Sequence, residues 1–147
     1  MIQKGVIFSW LEQFGSKPEY GKAEGVEWFI SGKFKDIPFV VVRPNSDDRV
    51  VIQRGLITNQ AALEKIKKSA KSKRKDYVFS LKRDLLIRGV RYQMNFEDES
   101  ETILQSLLLE TFVYEDSITK NEFFREFNSI TDATYLYIAT TKHFFQA

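Results

Sequence analysis

Cysteine is absent from this 147-residue chain, and histidine occurs once. Without thiols there is no disulfide framework, no zinc–thiolate site and no thiol nucleophile. The three prolines and seven glycines are scattered, so no stretch reads as a linker, and there is no internal repeat. Apolar runs such as residues 37–42 and 107–109 are far too short to span a bilayer. The amino terminus carries Lys4 but no sustained apolar region leading to a small-residue cleavage site. These absences point to a cytoplasmic protein with no membrane association and no secretory signal.

What the chain does have is core material. Hydrophobic residues make up 43% and aromatic residues 14%, thirteen of them Phe, which is too apolar for a disordered chain. A domain of this length buries roughly 68–70% of its unfolded surface. We therefore expect a single domain over residues 1–147.

Periodicity predicts the elements. Ile7, Trp10, Leu11 and Phe14 fall on one helical face, stopped by Gly15 and Pro18. Three strands follow, over 26–34, 37–42 and 50–52, and turn residues 45–48 precede the third. Their short connections require antiparallel neighbours. Thr58 or Asn59 can cap a helix carrying Ala62, Leu63 and Ile66, and a second stripe of Val78, Leu81 and Leu85 runs to Gly89. Between the stripes, residues 69–76 are polar enough to predict a kink or break. Residues 90–97 alternate as a strand. The segment from Ile103 to Tyr114 fits a strand or a helix, and the acidic turn at 98–101 favours the strand of a hairpin. Thr119 and Glu122 have capping-box spacing before a last helix with Phe123, Phe127, Ile130 and Tyr137 on one face. Runs of strands and helices segregated in this way make an α+β fold, with helices packed against an antiparallel sheet.

The residues that bond chemistry needs are missing. His143, the one histidine, sits near the end of the last helix, where it reads as structural or solvated. No glycine-rich phosphate loop and no G-x-S-x-G elbow occurs. The run Glu97-Asp98-Glu99-Ser100-Glu101 lacks calcium-loop spacing and reads as a solvated turn. We expect no enzyme activity, no cofactor and no metal site.

Charge and aromatic clustering point instead to surfaces. The net charge is only +2, yet from Lys65 to Arg91 eleven Lys or Arg face two Asp. From Glu97 to Asp132, ten acidic residues face Lys120 and Arg125. Such separation steers and orients partners. Lys65, Lys67, Lys68, Lys71, Lys73, Arg74 and Lys75 form the sharpest cluster. It reads either as a contact for nucleic-acid phosphates or an acidic partner, or as the solvated face of a helix. Phe123 and Phe124 are adjacent, as are Phe144 and Phe145, and helical neighbours point in different directions. Some of these rings are therefore expected at an interface, with self-association the simplest partner.

The element order resembles the type III secretion chaperone-like fold, α-βββ-α-ββ-α. The residues that carry the resemblance are the opening helix at 6–14, the meander at 28–52, Arg88-Gly89-Val90-Arg91-Tyr92 at the entry to the fourth strand, and the helix at 119–145. The chain also resembles a small archaeal family placed in that fold. The resemblance implies a homodimer that binds a polypeptide partner without chemistry. It departs from the pattern in being slightly basic and in its long cationic middle. The alternative function is nucleic-acid binding through Lys65 to Arg91.

Overall fold

The structure, a computed structural model, describes residues 4–146. Its elements are α1 (Lys4–Gln13), β1 (Glu19–Gly21), β2 (Val26–Phe34), β3 (Ile37–Pro44), β4 (Arg49–Ile57), α2 (Gln60–Lys68), α3 (Lys71–Ile87), β5 (Arg91–Phe96), β6 (Leu104–Tyr114), a 3-10 turn (Glu115–Ser117) and α4 (Lys120–Phe145). The fold is α+β, with a six-stranded antiparallel sheet ordered β1-β2-β3-β4-β6-β5. The chain divides into two compact units: Met1–Arg54 with Glu110–Ile130, and Gly55–Leu109 with Thr131–Ala147. Among the described residues no helix is long and apolar enough to cross a membrane.

In the first unit, α1 buries Ile7 and Leu11 as its spacing requires. Gly15 ends the helix at φ +88°, where its N–H reaches Glu12 O at 3.1 Å and that of Ser16 reaches Leu11 O at 3.3 Å. A left-handed residue closing the last carbonyls is the ordinary helix stop. The strands bury alternate residues: Ile30, then Phe39 and Val41, then Val50, Ile52 and Arg54. Lys35 and Asp36, at φ 51° and 65°, form a two-residue hairpin loop between the paired Phe34 and Ile37. Both residues being left-handed matches the twist of the flanking strands. Strand β1 is an addition to the expected meander. At three residues, one of them glycine, it has no alternation to read. Its Gly21 lies under the Phe29 ring, so close that a Cβ there would sit 2.0 Å from the ring.

The first half of α4 closes this unit with Phe123, Phe127 and Ile130 at i, i+4 and i+7, all buried. Phe127 meets Phe14, Phe34 and Phe39 edge-on at 5.4, 5.9 and 5.0 Å, a favoured aromatic geometry. The buried Arg54 guanidinium lies 5.8 Å from the same ring. Arg43 Nε donates to Glu115 Oε2 at 2.7 Å, an ion pair largely withdrawn from solvent.

In the second unit, Asn59 Oδ1 accepts the Ala62 N–H at 2.8 Å and starts α2. Ala62, Leu63 and Ile66 are buried, as are Tyr77, Val78, Leu81 and Leu85 of α3. The break expected over 69–76 narrows to Ser69 and Ala70, and residues 71–76 are helical. Lys and Arg are good helix formers, so polarity alone does not stop a helix. Ser69 does: it turns extended, its Oγ donates to Lys65 O and its N–H to Ile66 O. The segment from Leu104 is a strand, ending the strand–helix ambiguity.

A hydrogen-bond relay crosses this interior. Thr58 Oγ1 donates to Leu104 O at 2.9 Å and so accepts from Tyr137 OH at 2.8 Å. Thr141 Oγ1 donates to Tyr137 O at 2.8 Å and so accepts from Tyr77 OH at 2.7 Å. Each buried hydroxyl is satisfied, as a low-dielectric interior demands.

Candidate docking surface

The cationic segment does not form one uniform patch. Lys65 Nζ donates to Gln146 O at 2.8 Å, and Lys67 pairs with Glu97 at 2.7 Å. The Lys73 ammonium stands 5.6 Å from the Phe145 ring. Arg74 is half-buried, with Nε donating to Thr102 Oγ1 at 3.1 Å and Nη1 to Ser69 O at 2.7 Å. These four side chains tie α2 and α3 to their own unit. Lys68, Lys71 and Lys75 are exposed and form no ion pair among the described residues. A count of charges could not separate the two groups, because their partners lie far along the chain.

Beside Arg74, the acidic turn has an internal organiser. Asp98 accepts the Thr102 hydroxyl at 2.6 Å and the N–H groups of Ile103 and Thr102 at 2.7 and 2.9 Å. Partial desolvation opposes its charge, but these donors outweigh that cost and hold the carboxyl at about 2. The rest of the acidic run remains a solvent-facing turn. His143 is exposed and packs edge-on against Phe144 at 5.4 Å.

Of the aromatic pairs, Phe123 is buried, 5.7 Å from Trp10, while Phe124 is half-buried, 4.8 Å from Phe14. Phe145 is buried 4.9 Å from Tyr77, and Phe144 is half-buried at 5.7 Å. Phe123 and Phe145 are therefore core residues and present no free surface. A helical neighbour is turned by only about 100°, so its long ring lies along the edge of the core and does not project into water.

An exposed apolar set lies instead on α3. Val78, Leu81 and Leu85 bury one side of α3, which turns Phe79, Leu86 and Ile87 to the opposite side, 65%, 75% and 74% exposed. Gly89, at φ 69°, ends the helix and leads to β5. There Leu86, Gly89, Val90, Arg91 and Tyr92 line a shallow hollow of about 340 Å³. Arg83 lies 6.0 Å from the Phe79 ring and pairs with Asp84 at 3.2 Å, while exposed Arg88 donates to Asp84 O at 3.2 Å. The signal was present in the sequence: rotating from the core stripe by half a helical turn finds these residues. In the first unit, a half-open hollow of about 630 Å³ brings Lys17, Lys33 and Lys35 together with Glu19 and Asp36. Its charges are mixed, so acids do not converge there. Among the described residues no group of three or more His, Asp and Glu is placed to hold a metal ion.

A model of the DUF2299 family, described as an uncharacterized conserved protein, matches residues 3–141. The chain belongs to this family. A crystal structure of an uncharacterized protein from Methanothermobacter thermautotrophicus has the same fold, with a TM-score of 0.88. It is 17% identical in sequence, over 98% of this chain and 99% of that one. A comparison with curated proteins found no match.

Proposed function

We propose that this member of the DUF2299 family is a non-enzymatic, chaperone-like binding module. It acts as a homodimer and docks a polypeptide partner on the outer face of α3. The observation that carries the reading is the exposed set Phe79, Leu86 and Ile87 on a helix that also carries exposed Arg83 and, just past its end, exposed Arg88. Large apolar side chains held in water mark an interaction surface. The neighbouring guanidinium groups select acidic flanks on the partner. The partner is then a segment with apolar anchors one helical turn apart and Asp or Glu between them. The division of the cationic segment favours protein over nucleic acid, since Lys65, Lys67, Lys73 and Arg74 are engaged within their own unit. Catalysis has little to draw on here: Asp98, whose carboxyl is held at about 2, is committed to its turn, and Asp47, also lowered, is committed to Arg49.

The test uses fluorescent peptides carrying Leu and Phe at i and i+4 with intervening Glu, their Lys counterparts, and mixed RNA and DNA oligonucleotides across a salt series. The acidic peptides should bind, and Leu86→Glu with Ile87→Glu should abolish binding at an unchanged melting temperature. Oligonucleotide binding that weakens steeply with salt, without peptide binding, would replace this reading with the nucleic-acid alternative.

A further inference from the structure

Strand β5 lies at one end of the sheet order, so among the described residues one of its backbone edges has no neighbour in the sheet. Arg91, Tyr92, Gln93 and Asn95 are exposed and Met94 and Phe96 half-buried, an unusually open strand. An uncovered edge of this kind is a template for another strand.

The hairpin that leads from β5 into β6 sets the phase of that edge. Glu97, the residue after β5, donates its N–H at 2.9 Å to the carbonyl of Ile103, the residue before β6, so its backbone groups face β6. Successive residues of a strand direct their backbone groups to opposite sides. The N–H and C=O groups of Tyr92, Met94 and Phe96 therefore point to the free edge. An incoming antiparallel copy must set these residues against each other, which excludes every register that pairs an even-numbered residue with an odd one.

Two allowed registers keep five strand residues paired. One places Gln93 on the twofold axis and sets Arg91 against Asn95. The other places Met94 on the axis, and there the sequence Arg91-Tyr92-Gln93-Met94-Asn95-Phe96-Glu97 is complementary to its own reverse. Arg91 then faces Glu97, Tyr92 faces Phe96, Gln93 faces Asn95, and Met94 faces itself. Opposite charges and aromatic pairs directly across a ladder are favourable, whereas like charges are not.

We propose that β5 is the seam of the homodimer, two copies joining antiparallel about Met94 into one continuous sheet. This rests on the homodimer reading above and specifies its interface. About six backbone hydrogen bonds form across the seam. Each end is closed by Arg91 of one copy against Glu97 of the other, a carboxylate that already accepts Lys67 within its own chain.

The absence of cysteine makes the test direct. Facing Met94 residues lie about 5.5 Å apart at Cα in this register, within the roughly 4.4–6.8 Å window of a disulfide. Met94→Cys should cross-link to a covalent dimer under mild oxidation, and Tyr135→Cys, an exposed position on α4, should not. In light scattering, Arg91→Glu and Glu97→Arg should each weaken the dimer tenfold or more. Mixing the two variants should restore it, because both ends of the heterodimer then pair opposite charges. A wild-type chain that stays monomeric at high concentration overturns the homodimer reading itself. A wild-type dimer that neither cross-links through Met94→Cys nor responds to the charge reversals leaves that reading standing and overturns the β5 seam.

Discussion

The guanidinium of Arg74 donates to the hydroxyl of Thr102 at 3.1 Å, and that hydroxyl in turn donates a hydrogen bond to Asp98 at 2.6 Å. A residue from the most cationic stretch of the chain thus braces the turn of its most acidic stretch.

Arg74 should therefore behave unlike its neighbours. Arg74→Ala should cost about 1.5–3 kcal/mol, since it removes charge-assisted hydrogen bonds to Thr102 and Ser69. Lys75→Ala, on the exposed face, should stay within about 0.5 kcal/mol. Urea midpoints of the two variants check the contrast.

Asp98 should give the protein an acid-sensitive phase. Its folded carboxyl sits at about 2, below the unfolded value of about 3.9. The unfolded chain takes up the proton first as pH falls. The stabilisation is therefore complete above about pH 4 and is lost on the way down to about 2. Asp98→Asn should remove this phase and lower stability at neutral pH by about 1 kcal/mol. Melting temperatures across pH 2–7 for both proteins test this.

Tyr77 should be silent in an ordinary phenol titration. Burial raises its pKa well above the usual value, against the opposing hydrogen bond with Thr141, and burial raises that of Tyr137 as well. A phenol raised in the folded state contributes stability that is intact below the unfolded value near 10 and is lost as pH climbs above it. The folded protein should therefore show fewer than its six tyrosines ionising normally, with the remainder appearing on alkaline unfolding. Tyr77→Phe should cost about 1 kcal/mol by depriving Thr141 of its donor.

The two adjacent phenylalanines of α4 should separate in the same assay. Phe123→Ala empties a fully buried site and should cost about 3–5 kcal/mol. Phe124→Ala removes a half-buried ring and should cost about 1 kcal/mol. Equal costs would contradict their placement.

Much of the fold could be read from spacing alone. Ile7 with Leu11, and Phe123 with Phe127 and Ile130, name their buried faces because helical geometry is local. The meander of β2, β3 and β4 followed from alternation and short turns. Strand β1 did not, because three residues hold no period and its pairing depends on Phe29 lying across Gly21. The α2–α3 break is narrower than the polar run 69–76 suggests, because Ser69 ends α2 through bonds to Lys65 and Ile66 that composition does not encode.

The surface was less legible than the core. The cluster Lys67, Lys68, Lys71, Lys73, Arg74 and Lys75 is visible as charge, and Phe79, Leu86 and Ile87 as apolar residues out of phase with their helix. The sequence by itself determined the elements and their inward faces, because periodicity and turn chemistry act within a few residues. Only the tertiary structure decided that Arg74 braces a turn, that Phe123 and Phe145 are core, and that β5 ends the sheet. Those outcomes depend on partners distant along the chain, and a side chain's freedom is set by what folding brings against it.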